Sequence, residues 1–460
     1  MFDSYALLLD FCFMSGAMFI AKLLRSKIPW LQNHYIPVSV IAGFIGLLLG
    51  PQIAKVIPWS SEASSYPYLL ICVLFAGLFI GRKGKVKLKQ AVKSVGDTFF
   101  VNTGAEIFTF GVAMLVGGAM LMLFFPSIFP EMSLLLPAGF TGGHGYAAAI
   151  GGSLNELLGR EDAVSIGQVF ATVGLLVGLL IGIVCINIAA KRGATRFVKK
   201  ASLLPKDYRT GLISEDKRDS MGEVTVHPTS MESLTWHITL ILCATGLGYG
   251  AEKVLSHFFP DLGFPLMCLT MIAGMLIQLI LKLTKFDKYV DKKVVDHVGG
   301  TVTDYLVAFG VATIKISVIA EFWLPILILC VLGVIVSLLV VFLFGNKLFH
   351  NFWFERSIFI FGWITGVVAV GVTLLRCVDP DMKSGTLDDY GISYSVQSII
   401  EVFFVSFIPL IIVSIGAIWA GLIFTVAGLL LFGASALLFG VYKKKWSELR
   451  AGEEEIINKK

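Results

Sequence analysis

Gly139-Phe-Thr-Gly-Gly-His-Gly-Tyr-Ala-Ala-Ala-Ile-Gly-Gly152 lies between two long apolar stretches of the chain. It is too short to cross a bilayer and too rich in glycine for an ordinary helix interior. At membrane depth, such backbone is tolerated only where it is buried in protein or lines a cavity. A weaker echo follows at Gly362-Trp-Ile-Thr-Gly366. One such segment in each half of a chain is the pattern expected where a secondary transporter binds its cargo.

The surroundings place both segments in a membrane. The chain is 56% hydrophobic and only 15% charged, with mean hydropathy +0.82. A soluble chain of 460 residues would carry far more charge. Apolar runs near 5–24, 36–57, 66–81, 99–125, 163–190, 234–254, 262–284, 301–320, 322–345, 392–414 and 417–442 predict eleven spans. Each is close to the roughly 20 residues a helix needs to cross. The remaining apolar pieces, about 133–152 and 357–376, are the two Gly-rich segments. Cys12, Cys72, Cys185, Cys243, Cys268, Cys330 and Cys377 show no paired or metal-like spacing and read as small core residues. The start, Met-Phe-Asp, has no basic n-region, so the first run reads as a retained span rather than a signal peptide.

Lysine and arginine set the orientation. Basic residues crowd the stretches 22–27, 82–93, 191–200 and 282–293, then Lys347, Arg356 and the tail at Lys443, Lys444 and Lys445. The alternate loops hold little beyond Lys55 and Arg160. The positive-inside rule then puts the N-terminus outside and the C-terminus in the cytoplasm. All eleven spans alternate correctly only if both Gly-rich segments enter and leave on one side.

The two halves are related. Ile41-Ala-Gly-Phe-Ile resembles Ile272-Ala-Gly-Met-Leu, and Thr141-Gly142 matches Thr365-Gly366. Five spans per half is an odd number, so the second copy is inverted in the membrane. The expected fold is an all-α polytopic membrane protein with two inverted-topology repeats of five spans, each with a re-entrant loop, plus one extra C-terminal span. Its parts are 1–190, a cytoplasmic linker at 191–233, 234–416, the extra span 417–442 and a cytoplasmic tail 443–460. Oppositely entering loops that meet near the midplane are an alternating-access architecture. The polar linker, with Pro205 and Pro228, reads as a tether.

Thr141, Gly142, Gly143, His144 and Gly145 are the strongest candidate site. Glycine lets backbone groups approach a ligand, helix N-termini offer N–H groups to a carboxylate, and free carbonyls hold Na+. His144 can contact substrate or titrate. The competing reading is tight helix packing, with His144 a satisfied interior polar group. Thr365 and Gly366 are the counterpart, and Arg376 either clamps a carboxylate or anchors the segment beside Asp379 and Asp381. Gln168 and Thr172 sit one helical turn apart, as cavity lining or as a packing hydrogen bond; Thr373 poses the same choice. Glu106, Asp304, Lys315, Glu401 and, more weakly, Asp10 lie within spans, where ionisable groups are costly and point to function. Lys315 and Glu401 form an internal ion pair, or Glu401 joins a cation site. Candidate Na+ ligands are Gly142, Gly143, Thr172, Thr373 and Glu401. Gly143-His-Gly145-Tyr-Ala-Ala148 mimics a dinucleotide fingerprint, but no strand precedes it and no acidic ribose partner follows.

Gly139-Phe-Thr-Gly-Gly-His-Gly-Tyr-Ala-Ala-Ala, Thr195-Arg-Phe-Val-Lys, Arg209-Thr-Gly-Leu-Ile, and Thr365-Gly-Val-Val-Ala with Leu374-Leu-Arg-Cys-Val-Asp-Pro380 resemble the bacterial sodium/glutamate symporter family. The likeness covers most of the chain. It implies Na+-coupled glutamate uptake, no organic cofactor, a homodimer of scaffold and transport domains in the bacterial plasma membrane, and elevator-like movement. The second loop departs from the better-known members, with Val367, Val368 and Val370 where they carry more glycine. Another amino acid or carboxylate, coupled to Na+ or H+, stays open. A channel would more naturally show a repeated pore signature. An intramembrane enzyme lacks a Ser, Cys or Asp at motif spacing from His144, nothing suggests a nucleic-acid partner, and no P-loop marks a pump.

Overall fold

The computed structural model describes residues 4–33, 36–82, 88–197, 210–258, 266–380 and 383–439. Several sequence expectations fall outside these residues: the basic stretches 83–87 and 198–200, Arg209, Asp381 and the tail 443–460. So do the side chains of Lys89, Lys93 and Cys268. Among the described residues every regular element is helical. Six helices are each long and apolar enough to cross a membrane, which makes the chain a multi-pass membrane protein.

The first half runs α1 (Ser4–Lys27), a short α2 (Pro29–Asn33), α3 (Val38–Leu49), α4 (Tyr66–Gly77) and α5 (Leu88–Val112). A π-turn at Ala113–Gly117 joins α5 to α6 (Gly118–Phe124), followed by α7 (Met132–Leu158) and α8 (Ala163–Lys191). The second half runs α9 (Ser233–Phe258), α10 (Leu266–Thr284), α11 (Lys292–Ala312) and α12 (Ile316–Leu339). A π-turn at Val340–Gly345 ends α12, and α13 (Trp353–Val378), α14 (Thr386–Ile415) and α15 (Ala417–Phe439) complete the chain.

Two helices are broken where the glycines predicted trouble. In α7 the break falls at Gly143 (φ 60, ψ −154). Only glycine occupies that backbone region without strain. Gly139 and Ala147, on opposite sides of the break, both pack against Gly167 of α8. In α13 the break falls at Gly366 (φ −162, ψ 37) and Val367 (φ 71, ψ 165). There the chain doubles back, since a Cβ on Gly362 would sit 2.7 Å from Gly371 Cα. Each broken helix follows a π-turn, and each π-turn ends on a glycine facing a serine at the start of the broken helix: Gly117 on Ser133, Gly345 on Ser357.

Packing sorts the helices into two bundles that cut across the chain halves. The first holds α1, α3, α4, α9, α10 and α11; the second holds α5 to α8 and α12 to α15. The extra helix α15 is peripheral in exposure but lies tightly along α5, where Gly111 meets Thr425 and Gly428 meets Phe108. Small residues let the backbones approach where lipid supplies no hydrophobic drive.

Polar ties close the ends. Arg356, 2% exposed, donates to Asp389 Oδ2 at 2.5 Å, Thr98 Oγ1 at 2.8 Å and Asn351 Oδ1 at 2.9 Å. It therefore locks the start of α13 to α5 and α14 rather than lying free in a basic loop. The described linker also docks: Lys22 Nζ donates to Gly211 O at 2.5 Å and Lys293 Nζ to Asp219 Oδ2 at 2.8 Å. The Lys293 ammonium holds the Asp219 carboxyl below its usual range.

Two expectations need correction. Spans expected at 301–320 and 322–345 are instead α11 and α12, because the helix breaks at Thr313 to Lys315, ahead of the expected edge. Lys315 consequently sits at the start of α12, 44% exposed and 4.0 Å from Glu161, not paired with Glu401.

Candidate functional site

The two breaks meet. A Cβ built on Gly143 would lie 2.5 Å from Val367 Cγ1, so the tips of α7 and α13 are in direct contact. Behind them, α8 holds both. Gly174 faces the Thr365 carbonyl and Gly178 the Thr365 hydroxyl, positions where any side chain would collide. Phe140, before the first break, packs into the notch at Gly174 and against Gly333 of α12.

A cavity of ≈ 270 Å³ opens at this contact. Ligand sites run from about 300 to 1,000 Å³, so this one suits a small molecule. One wall is the first bundle, with Ile71, Leu74 and Phe75 of α4 and Thr303, Leu306 and Val307 of α11. The other is the second bundle, with Gly142 to Tyr146 and Gly366, Val367 and Tyr394. The cavity thus lies on the seam between the two bundles. Among the described residues its lining carries no Lys, Arg, Asp or Glu. Polar character comes from backbone at the two breaks and from His144, Tyr146, Thr303 and Tyr394.

The sequence-predicted residues divide. Gly142, Gly143, His144, Gly145 and Gly366 line the cavity. His144 is 3% exposed and its ring Nε2 is 3.0 Å from Thr172 Oγ1. Gln168 Nε2 donates to the His144 carbonyl at 3.1 Å, and Thr172 Oγ1 donates to Gln168 O at 2.9 Å. Gln168 and Thr172 therefore fix the tip by hydrogen bonds. Thr141 is buried with no partner for its hydroxyl, while Thr365 donates to Phe361 O at 2.6 Å. Arg376 and Thr373 lie beyond the break on α13, outside the cavity lining. Asp379 caps the turn after α13, accepting from Lys383 N at 2.9 Å and Ser384 N at 2.8 Å.

The intramembrane acids have partners too. Asp10 accepts from Tyr66 OH at 2.9 Å and Ser60 N at 3.1 Å, which ties a loop to α1. Asp304 faces Ser39, with Lys22 near. Glu401 accepts from Tyr146 OH at 2.6 Å, one residue beyond the glycines of the tip. Glu106 accepts from Gln397 Nε2 at 3.1 Å. Tyr146 and Tyr394 were not singled out by sequence reasoning, and Val367 only as a departure from glycine. Tyr146 stood inside the quoted motif, and its position immediately after Gly145 was the available signal.

A second cavity of ≈ 290 Å³ adjoins the same tip through Gln168. Ser64, Ser65, Asn155, Glu156, Glu161 and Lys315 give it a polar lining.

Comparison with known proteins adds one match. The family described as sodium/glutamate symporter matches residues 4–353, ending where α13 begins. No curated protein matches the chain.

Proposed function

Because the chain belongs to the sodium/glutamate symporter family, we propose that it takes up glutamate, or a closely related small acid, with Na+ by alternating access at the cavity between the two helix breaks. The family is one of multi-pass membrane transporters, with Na+ as the coupling ion. The observation that carries the finer reading is the contact of Gly143 with Val367 on the seam between the bundles. Two half-helices begin there, and their free N–H groups favour an anion by hydrogen bonding and dipole. With no basic side chain among the described residues of the lining, the substrate carboxylate is held by backbone. Gly142 and Gly143 supply carbonyls for Na+.

In this reading α7 re-enters from outside and α13 from the cytoplasm, as the halves of an inverted repeat. The paired π-turns and the paired glycine–serine contacts support that symmetry. The first bundle is the scaffold and the second the moving transport unit, so each chain half contributes to both. Elevator movement slides the second bundle along the α4 and α11 wall. The N-terminus lies outside, the C-terminus in the cytoplasm, and the scaffold faces pair two copies. Val367 at the second tip narrows the pocket, which favours a small acid over a bulky one. Lys315 and Glu161, in the polar cavity, meet an amino acid on its way to Gln168.

Proteoliposomes given labelled glutamate and an inward Na+ gradient test the reading. Accumulation that collapses when K+ replaces Na+ is expected, with unlabelled aspartate, citrate and malate ranking the alternatives. Failure of Na+ to stimulate uptake of any of these acids overturns it.

A further inference from the structure

Behind the cavity wall, Glu106 on α5 and Glu401 on α14 are 2% and 4% exposed. Gln397, one turn before Glu401 on α14, donates to Glu106 Oε2 at 3.1 Å, which brings the two carboxyl-bearing turns together. Each carboxyl group has one oxygen satisfied: Gln397 donates to Glu106 Oε2 and Tyr146 to Glu401 Oε1. Among the described residues the other two oxygens, Glu106 Oε1 and Glu401 Oε2, have no donor. The carboxamide oxygen of Gln397, a residue 1% exposed and already touching Glu106, has none either. One turn along α5, both polar atoms of the Asn102 amide are unpartnered.

The other titratable groups facing the pair are tyrosines: Tyr146 from α7, and Tyr390 and Tyr394 from α14. From α13 the charged residue reaching α5 is Arg356, which bonds Thr98, two turns from Glu106. The helix α15, packed along α5, holds no titratable residue. Among the described residues no lysine or arginine forms an ion pair with either carboxyl. Two ionised carboxylates buried this way repel one another, and a single neutral donor to each does not replace the lost hydration of two charges.

We propose that Glu106 and Glu401 bind one exchangeable proton between them, as a second cation site behind the backbone-lined tips. The proton joins Glu106 Oε1 to Glu401 Oε2, so one hydrogen satisfies both orphaned acceptors and the pair keeps a single negative charge. The site is wired to the cavity, because Tyr146 and Tyr394 both line it and Tyr146 donates its hydroxyl to Glu401. Tyr146 stands three residues past the Gly143 break. Movement of that tip withdraws its hydroxyl from Glu401 and changes how tightly the proton is held. The role in coupling rests on the transport reading above; the bound proton does not.

Two measurements test it. Infrared difference spectra of purified protein at neutral pH, wild type minus E106Q/E401Q, show a protonated-carboxyl band that saturating Na+ leaves in place. A difference spectrum without that band, or one in which Na+ erases it, overturns the proposal; the second outcome makes the pair a Na+ site. If the double variant does not fold, E106Q alone serves. Its remaining carboxylate keeps Tyr146 as donor and needs no proton, so the band is again lost. In proteoliposomes with a trapped pH dye and the potential clamped, glutamate under a Na+ gradient acidifies the lumen, and E106Q abolishes the acidification. Na+-driven uptake without acidification overturns the proposal while the transport reading stands. Absence of uptake sinks the transport reading, and the infrared result still decides the proton site.

Discussion

Replacing Gly143 with alanine adds one methyl group at the point where the two broken helices touch. Two costs follow from the geometry. At φ 60, ψ −154, a residue with a Cβ occupies backbone that costs on the order of 1–3 kcal/mol. The new Cβ also falls 2.5 Å from Val367 Cγ1, about 1 Å inside normal carbon contact. Overpacking of that kind costs roughly 1–3 kcal/mol more. The sum is about 2–6 kcal/mol, and each ~1.4 kcal/mol is tenfold in a population, so even the lower bound depletes the closed-tip arrangement about 30-fold. The assay is the initial rate of Na+-driven glutamate uptake at matched protein per lipid, with thermal unfolding in parallel. G143A should lose at least an order of magnitude in rate. V367A, added to it, removes the clashing Cγ1 and should restore the overlap part while the backbone part remains. Wild-type uptake by G143A, or a double variant no better than G143A, refutes the tip contact as the core of the site.

Three further outcomes are expected. V367G relieves a β-branched residue at φ 71 and should raise unfolding stability by about 1 kcal/mol, read as a higher melting temperature; a lower one contradicts the strain. R356A leaves Asp389 beside an emptied buried site and should destabilise by about 3–5 kcal/mol, seen as loss of folded protein in detergent screening. G111L drives a side chain into the Thr425 backbone of α15, so it should separate α15 from α5 and lower the melting temperature; an unchanged melting curve argues against that packing.

The glycine clusters made the breaks legible because no other residue tolerates Gly143's backbone or the approach of Thr365 to Gly174. Membrane class was legible for the same plain reason, the length of the apolar runs. Span edges were not. The α11–α12 boundary lies in a largely apolar stretch where Thr313 and Lys315 read as isolated polar residues within a span, and only the folded chain exposes Lys315 at its surface end. The two bundles were hidden as well, because an internal repeat reports on symmetry and not on which helices pack together. Glu106 and Glu401 each drew attention as intramembrane acids, yet their adjacency depends on a contact such as that of Gln397 with Glu106, 291 residues apart. Val367 drew notice only as a departure from glycine; its positive φ is a product of the tip being held by α8 and α7.

The most direct test of the central claim is the accessibility of the tip itself. In a cysteine-free background, V367C is treated with a membrane-permeant maleimide, and its labelling rate is measured with Na+, with glutamate and with both. The account predicts a clear fall in rate only when Na+ and glutamate are present together, as the cavity fills and the tips close over it. A rate indifferent to the pair of ligands would contradict it.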